Sequence, residues 1–151
     1  MRVIFMGTPE FAIPSLRVLI EGPDDVVAVI TQPDRAKGRH GDPTPPPVKV
    51  LAQRRNIPVY QPEKVKDKAF LPQLKALNPD VIVVVAYGQI LSREILDIPP
   101  KWCINIHASL LPKYRGSAPI NWALINGEKV TGVTSMIVSA ALDSGPVLLK
   151  K

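Results

Sequence analysis

The sequence predicts an α/β protein, an open, mainly parallel sheet with helices on both faces. Three observations point there. Short apolar runs recur between helical segments, the alternation expected of a parallel sheet with crossover helices. One run, Val81-Ile82-Val83-Val84-Val85-Ala86, is continuously apolar, as suits a parallel strand covered on both faces. Gly7 and Tyr87-Gly88 fall directly after strand candidates, and His107 ends one. In such a sheet they gather at the edge where ligands bind, beyond the carboxyl ends of the strands.

Each element has its own signals. Val3–Met6 is the first strand candidate, and Thr8-Pro9-Glu10 after it offers an N-cap with a proline at the first helical position. Pro14 restricts the backbone around it, so a separate first turn is expected before a main helix from about Pro14 to Ile20. Val26–Thr31 is the second strand. Gln32–Pro47 is the main irregular stretch: Pro43, Pro45, Pro46 and Pro47 cannot sustain a helix or central strand, and its length suggests a functional loop. Helices are expected over Pro47–Arg55 and Lys66–Leu77, then the strand Val81–Ala86. Cys103–His107 alternates apolar and polar residues and is the next strand. Ala118–Asn126 is a helix with Ile120, Ala123 and Leu124 as its apolar stripe and Asn126-Gly127 as its end. Gly132–Val138 is strand-like, and Ala141–Pro146 is a turn.

Composition narrows the function classes. With 151 residues and 46% apolar content the chain supports one domain with a sizeable core. No apolar run is long enough to span a membrane, and the N-terminus lacks the long apolar region of a secretory signal. Cys103 is the single cysteine, so a disulfide framework is excluded and a reducing, cytoplasmic home is expected. The net charge of +6 is concentrated: residues 35–68 hold nine basic and three acidic side chains, and the rest balances at ten against ten. Such a block can attract a polyanion, or it can be a solvated helix face and loop.

The chemistry concentrates at the end of Cys103–His107. Asn105 and His107 are two residues apart and share a face of the strand, with Cys103 one step deeper, while Ile104 and Ile106 pack into a core. An amide donor beside an imidazole suits a reaction that passes through a tetrahedral oxyanion. Asp143, in the turn Ala141-Leu142-Asp143-Ser144-Gly145-Pro146, is the third member. A carboxylate beside His107 favours the protonated ring and fixes its orientation. Each residue has a structural alternative. Asn105 could satisfy backbone groups, His107 could be a satisfied core histidine, and Asp143 could close an Asx turn. Other chemistries lack their residues. Gly7-Thr8-Pro9-Glu10 is not the dinucleotide glycine pattern, no phosphate-binding P-loop is present, and no Gly-x-Ser-x-Gly elbow occurs. His40, His107 and Cys103 do not have zinc-site spacing, and no metal is expected.

On these residues the chain resembles the 10-formyltetrahydrofolate-dependent formyltransferases. The general match is Asn105-x-His107-x-Ser109-Leu110-Leu111-Pro112 with Leu142-Asp143-x-Gly145. A narrower match is to the branch acting on methionyl-tRNA. It rests on Phe5-Met6-Gly7-Thr8-Pro9-Glu10-Phe11, Thr31-Gln32-Pro33-Asp34-Arg35, Pro46-Pro47-Val48-Lys49-Val50-Leu51-Ala52 and Ala118-Pro119-Ile120-Asn121-Trp122. The resemblance implies a Rossmann-like formyltransferase fold and Asn105, His107 and Asp143 as catalytic residues. It implies that 10-formyltetrahydrofolate lies along Tyr87, Gly88, Gln89, Ile90, Leu91, Ser109, Leu110, Leu111, Pro112 and Val138. It further implies contact between initiator methionyl-tRNA and Arg35, Lys37 and Arg39. Two segments depart from the family pattern. His40-Gly41-Asp42-Pro43 stands where further basic residues are usual, and Ser139-Ala140-Ala141 where an acidic residue and a glycine are usual. By the same resemblance, residues 1–151 are expected to be an incomplete N-terminal catalytic domain, without the C-terminal β-barrel domain that helps hold tRNA. Two rival readings are a formyltransferase for a small amine, such as a sugar nucleotide, and a non-catalytic folate- or RNA-binding piece.

Overall fold

The computed structural model describes residues 1–36, 41–139 and 141–151. Lys37 and Arg39, expected to meet tRNA, lie outside the described residues, as do His40 and Ala140 of the two departing segments. The first half of the chain runs β1 (Arg2–Gly7), α1 (Ile13–Glu21), β2 (Asp25–Ile30), β3 (Arg35–Ala36), β4 (Pro43–Thr44), α2 (Pro47–Arg54) and β5 (Val59–Tyr60). The second half runs α3 (Leu71–Ala76), β6 (Val81–Val85), α4 (Arg93–Leu96), β7 (Trp102–His107), α5 (Pro119–Ile125), β8 (Thr134–Ile137) and β9 (Val147–Lys150).

The main sheet has seven strands in the order β5-β2-β1-β6-β7-β8-β9. The five strands from β5 to β7 are parallel, and β8 and β9 add antiparallel pairs at one side. The expected open, mainly parallel α/β architecture is therefore present. Alternate side chains of each strand enter opposite cores, as the two-residue period requires. Ile4, Met6, Ile82, Val84 and Cys103 pack on one face with Leu74 of α3 and Ile95 of α4. Val3, Phe5, Val81, Val83 and Val85 pack on the other with Leu16 of α1 and Val48 and Ala52 of α2; Ile104 and Ile106 join them. Every residue of β6 is buried, each contributing about 1.5–3 kcal/mol of apolar transfer.

The strand order turns at β1 and β6, since β2 and β5 lie to one side and β7 to the other. The chain leaves β1 and β6 there through Gly7-Thr8 and Ala86-Tyr87-Gly88. Gly7 is required at this crossing: a Cβ would meet Phe5 Cε1 at 2.7 Å and Val85 O at 3.0 Å. Thr8 does not cap a helix, contrary to expectation. Its hydroxyl donates to Tyr87 O at 2.9 Å, tying the two loops together, and the 3-10 turn Glu10–Ala12 starts without a side-chain cap. The separate turn and the helix after it are as Pro14 implied.

Two helices differ from expectation. Lys66–Leu77 shortens to Leu71–Ala76. Val65 is buried in the core and Asp67 takes the Ala69 amide on its own carboxylate at 2.9 Å, a local turn that competes with the helix. In α5 the expected apolar stripe is exposed: Ile120 is 45% and Leu124 76% accessible, and only Ala123 is buried. Its contribution lies in its ends, with Ala118 left-handed at φ 56° before it and Gly127 at φ 64° after it.

The irregular stretch after β2 is tied at its base. Lys49 of α2 pairs with Asp34 at 2.6 Å, and Gln61 donates both to Asp34 at 2.6 Å and to Gln32 O at 2.9 Å. Beyond this tie, β3 and β4 form a short ladder with Pro43 on it, an edge position that proline tolerates. The hydrogen bond from Gln61, then that from Lys49, holds the Asp34 carboxyl below its ordinary value of 3.8. A carboxyl with a lowered folded-state pKa stabilises above its unfolded value, and that contribution is lost as pH falls through the folded value. Asp34→Asn is therefore expected to lower the urea midpoint at pH 7, with the gap closing as pH drops below about 4. Urea titrations from pH 7 to pH 3 test this; a gap of constant size would show that charge at Asp34 plays no part.

Candidate active site

Asn105 and His107 stand at the carboxyl end of β7, on the face of Cys103. Their register partners on β8 are Met136 and Thr134, both buried. Asp143 arrives from the other side on the loop between β8 and β9, whose feet are tied by Ile137 N donating to Pro146 O at 2.9 Å. Asp143 is left-handed, at φ 43°, a conformation aspartate adopts more readily than most side chains.

The three expected residues meet. Asn105 Nδ2 donates to Asp143 Oδ1 at 3.3 Å, and His107 Nδ1 lies 3.7 Å from Asp143 Oδ2. His107 and Asp143 are only 7% and 12% exposed, so this pair is little screened by water. The other ring nitrogen, His107 Nε2, is 2.8 Å from Tyr114 O, a group that can only accept. Both nitrogens thus face acceptors. A doubly protonated ring can donate to both, a neutral ring to one. Asn105 keeps one amide hydrogen beyond the one given to Asp143.

Main-chain groups that the sequence did not single out complete the arrangement. Gly116 N donates to Asp143 Oδ2 at 2.8 Å. Gly116 is at φ 88° and Tyr114 at φ 56°. For the tyrosine that left-handed conformation costs about 1–2 kcal/mol. Thr134, buried beside His107, accepts from Leu111 N at 3.1 Å and donates to Ser109 O at 2.7 Å, so it pins the loop after β7. A polar residue at an inward position of β8 was the available signal for Thr134. Nothing in side-chain identity marks the Tyr114 carbonyl or the Gly116 amide.

The expected folate-lining residues divide into groups. Leu91 and Val138 pack against the same cluster as Cys103, beneath the Asn105 face. Ile90 is 84% exposed. Tyr87 is buried in that core, with its phenol pushed up by burial, and its carbonyl already accepts from Thr8 and Gln32. Gly88 is left-handed at φ 88°. Gln89 spends its side chain on Val65 N and Glu63 O. The Ser109 hydroxyl donates to Lys113 O at 2.6 Å, and Leu111 is core. Leu110, Leu111 and Pro112 border a cavity of about 480 Å³ with Lys113, Tyr114, Glu128, Val130, Thr131 and Lys150. Asn105, His107 and Asp143 do not line this cavity.

Cys103 is buried, 3% exposed, which disfavours its thiolate. Burial, with Asp97 adding to it, pushes its thiol up to about 12. Among the described residues no group of three or more metal-ligating side chains comes together, and no helix is long and apolar enough to cross a membrane. Arg35, expected at the tRNA, is 67% exposed and lies 3.5 Å from Glu63. Part of the basic block is neutralised in the same way, by Lys49 with Asp34 and Arg55 with Glu21.

An amide and an imidazole gathered on one carboxylate, at the carboxyl edge of a parallel sheet, are groups of the kind that can serve transfer at a carbonyl carbon. The chain belongs to the formyl transferase family, whose model matches residues 1–151. The methionyl-tRNA formyltransferase of Trichlorobacter lovleyi is 59% identical over 150 residues, which cover 99% of this chain and 48% of that protein. That of Pelotomaculum thermopropionicum is 60% identical over 151 residues, covering 100% and 48%. The chain therefore spans about half the length of the curated relatives it matches. The crystal structure of phosphoribosylglycinamide formyltransferase from Bacillus halodurans shares the fold, with a TM-score of 0.79 at 23% identity over 100% of this chain and 78% of that one.

Proposed function

We propose that this chain carries the chemistry of methionyl-tRNA formylation: transfer of the formyl group from N10 of 10-formyltetrahydrofolate to the α-amine of methionine on initiator tRNA, for translation initiation. The observation that carries the reading is the meeting of Asn105, His107 and Asp143, 3.3 and 3.7 Å apart through the carboxylate. Relatives about 59% identical that bear that name support the choice of acceptor. Translation initiation sets the reaction in the cytoplasm, where a lone thiol stays reduced.

Each residue has a task. As the amine nitrogen bonds to the formyl carbon, Asn105 donates its remaining amide hydrogen to the developing oxyanion. His107, held with Nε2 on Tyr114 O and Nδ1 toward Asp143, lies beside the reacting carbon as the group that relays the proton. Asp143 holds both in place. The bond from the formyl carbon to N10 breaks, and the proton lost by the amine reaches N10 through His107 or a water held on Asp143. The residues present fit a flat, polar-edged pterin. Leu91 and Val138 give an apolar floor, Ile90 an exposed wall, and the chain at Gly88 a backbone edge. We assign the folate to the segments Tyr87–Leu91, Ser109–Pro112 and Val138–Asp143. Single-turnover formyl transfer to methionyl-tRNA, run beside an amino-sugar nucleotide, tests the reading. Transfer to the sugar amine alone would refute it.

Arg35, Lys37 and Arg39 are assigned to tRNA phosphates, which fix position and carry no sequence information. The Arg35–Glu63 pair, both side chains well exposed, costs little to open. Arg35→Ala and Arg39→Ala are each expected to weaken tRNA binding and flatten its salt dependence by about 0.7–0.9 of a log unit per lost contact, with folate binding unchanged. Binding measured across a salt series decides; an unaltered slope in both variants would remove the loop from the tRNA site.

A further inference from the structure

Glu128 lies outside the catalytic group, yet it holds the residue on which His107 rests. It directly follows the left-handed Gly127 at the end of α5, and its amide donates to Ala123 O at 2.9 Å, which fixes its backbone. Its carboxylate, 24% exposed, accepts from Tyr114 Oη at 2.7 Å and from Lys113 Nζ at 2.9 and 3.1 Å. Asn126 Nδ2 donates to the same phenol oxygen at 3.3 Å. The contacts from Lys113 and then Tyr114 hold the Glu128 carboxyl below its ordinary value, and Glu128 in turn raises the Tyr114 phenol. A phenol donating to a carboxylate is a charge-assisted bond, stronger than a neutral one.

The other end of Tyr114 gives this grip its consequence. Its backbone is left-handed, unfavourable for a side chain of its kind, and in that conformation its carbonyl meets His107 Nε2 at 2.8 Å. Two residues on, Gly116 N meets Asp143. The loop after β7 thus touches both members of the histidine–aspartate pair. Its side-chain anchor at Tyr114 is Glu128, with Asn126 assisting.

We propose that Glu128 is a positioning residue. By holding the Tyr114 hydroxyl and the Lys113 ammonium it keeps the Tyr114 carbonyl on His107 Nε2, so that the ring turns Nδ1 toward Asp143. The catalytic consequence rests on the formyl-transfer reading; the ring geometry does not. Ring ¹⁵N NMR measures that geometry directly, because the chain has two histidines and His40→Gln leaves His107 alone.

The comparison is among wild type, Glu128→Ala, Glu128→Gln, Tyr114→Phe and the double variant Glu128→Ala with Tyr114→Phe. The Nε2 proton of His107 is expected to be protected from water in the wild type and to exchange freely in Glu128→Ala and in Tyr114→Phe. The double variant should be no worse than Glu128→Ala, since that change has already cut the link that Tyr114→Phe removes. Glu128→Gln, whose amide oxygen still accepts from the phenol, should retain the protected proton. In single-turnover formyl transfer, Glu128→Ala is expected to lose about tenfold in rate with an unchanged folate affinity, and Glu128→Gln to recover most of it. If Glu128→Ala fails to fold, Tyr114→Phe and Glu128→Gln carry the comparison. Unchanged His107 signals in Tyr114→Phe, or loss of the protected proton in Glu128→Gln equal to that in Tyr114→Phe, would overturn the proposal. A wild type inactive in formyl transfer whose His107 signals still respond to Tyr114→Phe would overturn the functional reading and leave Glu128 in its role.

Discussion

Asn105→Ala is expected to slow formyl transfer by at least about 100-fold, because one oxyanion donor contributes about 2.7–4 kcal/mol. The loss should fall on the rate at saturating folate, not on folate affinity, since the remaining amide hydrogen is offered to charge that develops only during reaction. Stability should change little. Asn105 is partly accessible, and its side-chain contact with Asp143 is a long hydrogen bond of 3.3 Å. Single-turnover rates with paired thermal midpoints separate the effects; a near-wild-type rate would remove Asn105 from the mechanism.

Asp143 is expected to be as sensitive, for a different reason. Its carboxylate answers three donors on two elements: Asn105 Nδ2, Gly116 N at 2.8 Å and, at 3.7 Å, the Nδ1 side of His107. Asp143→Ala leaves the part-buried Asn105 and Gly116 donors unanswered, at about 1–3 kcal/mol for each hydrogen bond to the carboxylate lost. Both rate and thermal midpoint should drop. Asp143→Asn keeps an oxygen for Gly116 but removes the charge opposite His107. Its midpoint should stay near wild type while its rate falls by at least about 100-fold, a change of about 2.7 kcal/mol in the barrier. An asparagine variant that retains its rate would show that the carboxylate only shapes the loop.

The sequence exposed the parts of this site that side chains write. The alternation through β7 put Asn105 and His107 on one face, and the uninterrupted apolar residues of β6 set the sheet beside it. What stayed hidden has physical causes. The carbonyl of Tyr114 and the amide of Gly116 belong to the main chain, and their directions depend on left-handed backbone angles that tyrosine does not advertise. β5 is two residues long, and its pairing comes from tertiary contact with β2. β9 is exposed along its length, so its Val-Leu-Leu-Lys run shows no inward and outward alternation. In α5 the apolar residues read as a core stripe, yet the structure uses the helix for its termini, one leading from the catalytic loop and the other presenting Glu128.

Asp143 hangs between β8 and β9, at the margin of the sheet, while Asn105 and His107 belong to its parallel heart. Margins fray first, because fewer neighbours hold them. Warming should therefore unhitch the carboxylate before the central strands part, and activity should fade over a range of temperature in which most of the molecule is still folded. Inactivation of this kind is reversible in principle, since the untouched strands remain as the template on which the edge closes again.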